Sequence, residues 1–342
     1  LEEDSEEQRI YTIGPHCEKP YQTDRMFHIS GTSFGAVSKP AVLALSNGAR
    51  KAGCWMNTGE GGLSPYHLEG GADIVFQIGT AKYGVRDPDG SLSEKKLAKI
   101  AAHDQVRMFE IKLSQGAKPG KGGILPGIKV TAEIAATRGI PEGEDSISPN
   151  RHPEIKDAAS LLDMIETVRS VTGKPVGFKA VFGGYEWFEE LLRLVKKRGD
   201  ACAPDFITVD SGDGGTGAAP QALIDNVGLP IRESLPVVVD LLHKHGLKGR
   251  VHVVASGKLI NPEYVAAAFC QGADFVTSAR GFMFALGCIQ ALQCNKNTCP
   301  TGNTTHDDRL QRGLEPEDKA ERVYRYQKHM EKEIATIAHT CG

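Results

Sequence analysis

Three cysteines, Cys288, Cys294 and Cys299, fall within twelve residues in a C-x5-C-x4-C pattern followed by Pro300. Thiolates this close in sequence are able to meet at one inorganic centre, and Pro300 with Gly302 keeps the segment out of a helix. Zinc usually brings four ligands and a C-x2–4-C hook, which is absent. The spacing points instead to an iron–sulfur cluster on three thiolates. A zinc site completed by His306 and a set of buried free thiols are the other readings.

The run Gln115–Lys129 concentrates a different chemistry. Its glycines let backbone N–H groups approach a ligand, while Lys118, Lys121 and Lys129 add positive charge with no acid among them. It reads as an anion site, with a solvated mobile loop as the plain alternative. Arg138, just downstream, offers the planar two-pronged contact to a carboxylate that lysine lacks. In Asn57–Ser64, Asn57 and Thr58 are able to hydrogen-bond a ring edge, and Glu60 is the nearest acid unless it is a surface charge of the loop. Two further glycine clusters are Asp210–Gly217, with Asp213, Gly214, Gly215 and Thr216, and the pairs Ser256–Gly257 and Ala279–Arg280. Taken singly, each glycine pair is a tight turn.

Positioning these groups requires a scaffold. Eight short apolar runs read as strands: Met26–Ser30, Gly53–Asn57, Ile74–Ile78, Met108–Leu113, Val176–Val181, Phe206–Val209, Val251–Ala255 and Phe275–Ser278. Helix candidates alternate with them at Lys39–Ala52, Glu94–Ala101, Ala158–Thr172, Tyr185–Lys197, Ser234–His245 and Asn261–Gln271. Apolar strands followed by helices are parallel and covered on both faces. Eight such units make a (β/α)8 TIM barrel, an α/β fold whose catalytic loops follow the strand ends; an open doubly wound sheet is the alternative. Glycine and polar residues collect after the strands throughout, which favours the barrel. In barrels the loops after the seventh and eighth strands often hold phosphate, and Ser256–Gly257 and Ala279–Arg280 fall there. Lys112, ending the fourth strand, and Lys179, inside the fifth, are costly in a barrel mouth unless something anionic meets them. A flavin edge, negative when reduced, would do so.

A barrel uses roughly 250 residues, so a chain of 342 residues has room for extensions. We expect an N-terminal extension over 1–25, the barrel over 26–314 with its cysteine loop at 288–305, and a helical tail over 315–342. Long insertions run from Ser114 to Pro153 and from Gly212 to Leu235. Glycine is abundant, 39 residues, while aromatics are 6%, which suits backbone packed against a ligand better than an aromatic-rich sandwich. A net charge of −3 without a basic face argues against nucleic acid binding. No run approaches the roughly 20 apolar residues of a membrane span and no signal peptide is visible, so the chain reads as cytoplasmic. It opens on Leu1 and an acidic stretch rather than Met, as a piece of a longer or processed protein would.

Four segments, Asn57–Gly62, KLSQGAKPGKGGILPGIKV from Lys112, DGGTGAA from Asp213 and the cysteine loop, resemble the FMN-binding synthase domain of glutamate synthase, in the family's order. The likeness runs from about Ile29 to Thr305 and is greatest to stand-alone FMN-binding glutamate synthase family proteins. It implies FMN at the barrel mouth, a 3Fe-4S cluster on Cys288, Cys294 and Cys299, and reductive amination of 2-oxoglutarate or a related 2-oxo acid through 2-iminoglutarate. On this resemblance Glu60, Gln115, Lys118, Ile124 and Arg138 face the oxo acid, with Glu60 and Lys118 catalytic. The flavin set is Ser30, Gly31, Thr32, Asn57, Thr58, Gln77, Lys112, Lys179, Asp213, Gly214, Gly215, Thr216, Ser256, Gly257, Ala279 and Arg280.

Two positions depart from the family's GEGGQLPG: Lys121 replaces its Glu and Ile124 its substrate-contacting Gln. Isoleucine cannot make the amide's hydrogen bond, so a different oxo acid, or a small amine in place of ammonia giving an N-alkylglutamate such as N-methylglutamate, is the alternative. A non-catalytic electron-transfer subunit is the rival from another class. No glutaminase cysteine opens the chain, so ammonia or amine comes from solution or from an amidotransferase subunit, and electrons from ferredoxin or an electron-transfer subunit. No G-x-G-x-x-G follows a strand to suggest a nicotinamide site. An oligomer is expected, and stand-alone family members often carry a membrane-associated segment upstream.

Overall fold

The computed structural model describes residues 9–214, 219–220 and 222–341. Among them eight parallel strands close into a barrel: β1 Phe27–Ile29, β2 Met56–Asn57, β3 Ile74–Ile78, β4 Val106–Lys112, β5 Val176–Val181, β6 Phe206–Asp210, β7 His252–Ser256 and β8 Phe275–Ser278. Each strand pairs with its sequence neighbour, and β8 returns to β1 through Val276, Thr277 and Ser278 opposite Phe27, His28 and Ile29. All eight expected strands are present: the first two are shorter, by two and three residues, the fourth and sixth one residue longer, the seventh shifted by one and the other three as expected. No edge remains unpaired, which is what closure achieves.

The helices lie outside the strands because the apolar stripe of each has only the barrel to bury against. Helix Lys39–Ala52 shows how locally this is encoded. The Ser38 side chain caps it by accepting from Ala41 N–H, Pro40 sits in its first turn, and Gly53 ends it at φ 73°. Its inner face, including Val42, Leu45 and Ala49, is fully buried. The helix expected at Ser234–His245 begins earlier, at Ile231, and tolerates Pro236 in its second turn. The charged tail is one 26-residue helix, Pro316–Cys341, lying along Lys39–Ala52.

The barrel interior has two parts. At the strands' N-terminal end an antiparallel hairpin, Tyr11–Ile13 with Tyr21–Thr23, plugs the opening, and its Ile13 and Tyr21 join Trp55, Val75, Met108, Phe206, Val254 and Phe275 in an apolar cluster. His28 stacks on Trp55 with ring centroids 3.2 Å apart. Toward the other end the inward positions turn polar: Asn57, Gln77, Glu110, Lys179, Thr208, Ser256 and Thr277, all buried. This hairpin was not legible as a plug, because three-residue strands carry too little periodicity.

Among the described residues no helix is long and apolar enough to cross a membrane. All eight cysteines are free thiols.

The tail helix makes a specific demand on Gly48, where a Cβ would lie 2.4 Å from Val323 Cγ1. Gly48→Ala is therefore expected to overpack this contact and cost ~1–3 kcal/mol despite alanine's better helix propensity. Thermal unfolding of G48A checks this, and because Val323 Cβ at 2.5 Å and Ala320 O at 2.9 Å would still crowd the new methyl, adding Val323→Ala should not recover the loss.

Candidate functional site

Most of the expected site residues meet at the C-terminal end of the strands. Glu60 rides on a single 3-10 turn, Gly59–Gly61, directly after β2. Asn57 Oδ1 accepts from Gly59 N–H at 2.9 Å and so holds that turn. Glu60 is wedged between two glycines: a Cβ on Gly79 would come within 2.6 Å of its Cβ, and one on Gly123 within 2.1 Å of its Oε1. Gly123 belongs to the loop after β4, so Glu60 is walled by three different loops.

Cations surround this carboxylate. Lys112 Nζ, at the end of β4, lies 3.4 Å from Glu60 Oε2 and donates to Gln115 Oε1 at 3.2 Å. Lys118 is 8% exposed. Burial pushes the Glu60 carboxyl up, but Lys112, Lys118 and Arg138 outweigh it and hold the group below its usual range. Burial, with Lys112 and Lys121 nearby, lowers the Lys118 ammonium, and only Glu60 opposes this. One carboxylate faces three cations, so the mouth carries a positive surplus.

Arg138 owes its position to a short helix inside the 114–153 insertion, Ala132–Arg138, capped by Thr131 and ended by Gly139 at φ 70°. Its guanidinium is buried, donating to Ser146 Oγ at 3.2 Å and Phe34 O at 3.4 Å and lying over the Tyr83 ring. Its Nε has no hydrogen-bond partner among the described residues. Ile124 is half exposed and pairs with Ile147 across a two-residue ribbon. Its neighbour Gly123 borders Glu60 through backbone, while the Ile124 side chain turns toward solvent.

A second group lines the barrel interior and its rim. Ser30, Gly31 and Thr32 follow β1; Thr32 N–H donates to Asn57 O, and a Cβ on Gly31 would stand 3.2 Å from Asn57 Oδ1 and 3.4 Å from Gln77 Nε2. Thr58 Oγ1 accepts from Gln77 N–H at 3.1 Å. Lys179 Nζ pairs with Asp210 Oδ2 at 3.5 Å. Ser256 is buried at the end of β7, and Gly257, at φ 117°, lies so close to Ser211 that a Cβ would be 2.3 Å from its Cβ. Gly214 packs against Gly257, and Asp213 accepts from the Ser211 hydroxyl. Ala279 and Arg280 open the six-residue helix after β8. Gly215 and Thr216 lie outside the described residues.

Sequence reasoning missed several members. Glu110 accepts three hydrogen bonds in the barrel interior. Asp210 joins Lys179 to the loop after β4 by accepting from Gly116 N–H at 2.8 Å. His152 is buried with Nε2 3.0 Å from Lys112 O. Lys129 differs from expectation: it is 1% exposed and donates to Ala36 O and Cys294 O, both 2.9 Å, so it ties the loop after β4 to the cysteine loop instead of facing an anion.

Cys299 is buried, Cys288 and Cys294 partly so. Burial raises the Cys299 thiol, yet hydrogen bonds from Thr301 and Thr304 more than offset it and bring it down to about 7. Among the described residues no group of three or more His, Cys, Asp or Glu side chains is arranged to hold a metal ion, so the three thiols share a loop without converging on one point. His306, the candidate fourth zinc ligand, spends its Nε2 on Gly35 O at 2.7 Å.

A closed barrel of eight parallel strands with flanking helices is a fold that solved structures share. It is similar to a putative lactate oxidase from Pediococcus acidilactici, with a TM-score of 0.54 and 13% identity, covering 93% of this chain and 72% of that one. It is also similar to a flavocytochrome b2 mutant with pyruvate bound, with a TM-score of 0.52, 14% identity and coverage of 95% and 72%. At these identities the likeness is one of fold.

Sequence comparison is narrower. The family model described as the conserved region in glutamate synthase matches residues 1–342, and the chain belongs to that family. It is 45% identical over 335 residues to the glutamate synthase large subunit-like protein YerD of Bacillus subtilis (strain 168), covering 97% of this chain and 63% of that protein. It is 36% identical over 324 residues to the archaeal glutamate synthase (NADPH) of Methanocaldococcus jannaschii, covering 93% and 59%. The chain thus spans about three-fifths of these relatives' length.

Burial of His152 brings its pKa down to about 4. The unfolded chain, near 6.5, takes up a proton between pH 6.5 and 4 that the folded one refuses. Stability from this group is therefore complete above pH 6.5 and lost as pH falls toward 4. Melting temperature is expected to drop across this window, and His152→Gln, which keeps a donor for Lys112 O, should flatten part of the drop.

Proposed function

We propose that this chain is the FMN-dependent synthase part of a glutamate synthase-like oxidoreductase that reductively aminates 2-oxoglutarate or a closely related 2-oxo acid. The observation that carries this is the positive surplus around Glu60, with Lys112, Lys118 and the buried Arg138 converging beside a polar barrel interior. A dicarboxylate with a keto group between such cations satisfies them, and an apolar or cationic substrate does not.

The residues present fit a flavin. Asn57, Gln77, Lys112 and Lys179 line the polar end of the barrel, Gly31 leaves room where a side chain would meet both amides, and the loops after β7 and β8 supply Ser256–Gly257 and Ala279–Arg280 for a phosphate. When bound, FMN supplies hydride transfer to an imine carbon. The chain's own residues do the rest. Arg138 and Lys118 hold carboxylate oxygens. Glu60, kept ionised by its cations, accepts at Oε1 or Oε2 a proton from incoming ammonium or alkylammonium, leaving the free amine to add to the keto carbon. The folded loop 114–153 excludes water. Gly116, bound to Asp210, keeps that loop seated over the mouth.

The C-x5-C-x4-C spacing and the family support a 3Fe-4S cluster on Cys288, Cys294 and Cys299, while among the described residues no three such side chains are arranged to hold a metal ion. Ferredoxin or an electron-transfer subunit would reduce the flavin, and ammonia would come from solution or an amidotransferase partner. Iron and acid-labile sulfide in anaerobically prepared protein test the cluster.

Titrating FMN-loaded protein with 2-oxoglutarate should perturb the flavin absorption. Lys118→Met and Arg138→Met should each weaken that binding about tenfold or more, the loss of a charge-assisted hydrogen bond worth ~1.5–3 kcal/mol. Product mass after reduction with ammonia or methylamine then identifies the nitrogen donor. An unperturbed flavin in wild type would overturn the substrate reading.

A further inference from the structure

The middle of β4 reads Met108, Phe109, Glu110, Ile111, and Glu110 is only 3% exposed among these buried neighbours. Its Oε1 accepts from Asn57 Nδ2 at 2.9 Å and from Gln77 Nε2 at 2.7 Å, while Oε2 accepts from Thr208 Oγ1 at 2.6 Å. The donors come from β2, β3 and β6, so one carboxylate ties four strands through neutral partners. Such a group is costly to bury and is retained only where its donors are matched.

The consequence lies in the amides. The two ends of an amide have nearly the same shape, and a carboxylate only accepts, so Asn57 and Gln77 must both turn their NH2 toward Glu110. Asn57 Oδ1 then receives Gly59 N–H, the bond that seats the turn carrying Glu60. Gln77 Oε1 takes no hydrogen bond among the described residues. Gly31 lies beside both amides, nearest Asn57 Oδ1 and Gln77 Nε2, and a side chain there would crowd them.

We propose that Glu110 is a positioning residue that fixes the Gln77 amide with its oxygen toward the cofactor, making Gln77 an acceptor for a ring N–H. Through Asn57, the same carboxylate sets the turn that carries Glu60. This inference rests on the FMN reading above. A flavin offers its imide N–H as a donor in both oxidised and reduced forms, so an acceptor here serves either. If Gln77 were reversed, its NH2 would face that N–H, donor against donor.

The test measures FMN dissociation constants and visible absorption for apoprotein reconstituted with FMN. Glu110→Gln places a carboxamide oxygen against the two amides and its NH2 against Thr208, whose hydroxyl is able to accept. Affinity should stay within about threefold of wild type. Thr208→Val removes one bond to the same carboxylate without touching the amides and should behave alike. Glu110→Met frees both amides, and FMN should bind at least tenfold more weakly with displaced absorption bands. Gln77→Leu should show the same weakening, and the double variant should be no worse than either single one. Should Glu110→Met not fold, Gln77→Leu decides alone: wild-type affinity and spectrum in that variant overturn the inference. The same result in a folded Glu110→Met also overturns it. A wild-type apoprotein that binds no FMN would instead overturn the cofactor reading, and this inference with it.

Discussion

The mouth of this barrel is assembled by backbone pressed against backbone at separations that admit no side chain. A Cβ on Gly116 would sit 1.6 Å from Ser211 O, one on Gly122 1.8 Å from Ser148 O, and one on Gly212 2.0 Å from Gly228 O. These contacts bring the loop after β4 onto the loop after β6 and fold the 114–153 insertion back on itself. The polar groups carried by the loop after β4, Lys118 and Arg138 among them, sit on a segment held by that packing. Glycine is abundant in this chain because loops that converge on one small opening have no volume for anything larger.

Within that frame the electrostatics divide in two layers. Deep in the barrel, Glu110 is matched by neutral donors, so its charge is absorbed without recruiting a cation. At the rim the balance reverses, and Glu60 is outnumbered by Lys112, Lys118 and Arg138. Asp210 stands between the layers, sharing Oδ2 between Lys179 and Gly116 N–H. The unmatched positive charge thus sits at the rim, while deeper down Lys179 is paired with Asp210.

Much of the scaffold was legible because parallel barrel strands are buried on both faces and stand out as short apolar runs. Lys112 and Lys179 were legible for the same reason: a lysine in such a run demands an explanation. Glu110 carried the same signal, an acid between Phe109 and Ile111, but its partners lie 53, 33 and 98 residues away in sequence and no local pattern joins them. Lys129 reads as a loop charge until the fold brings Ala36 and Cys294 to it. The cysteine spacing shows that three thiols share a loop; how that loop turns is set by Gln290, Leu292 and Asn297, non-glycine residues at positive φ that composition does not announce.

The helix Pro316–Cys341 does more than cover Lys39–Ala52. Its Gln327 side chain donates to Phe27 O in β1, and Glu331 accepts from both Arg25 and the Met26 N–H. The first strand of the barrel is thus held by residues about 300 positions later in the chain. On a ribosome, where domains form as their segments emerge, β1 gains these bonds only once that helix has been made. The seam between β8 and β1 pairs strand to strand, but the side-chain bonds that hold β1 from outside the barrel come from a segment made after β8. Loop closure over such a separation is slow, so the bonds from Gln327 and Glu331 are among the late contacts that the first strand receives.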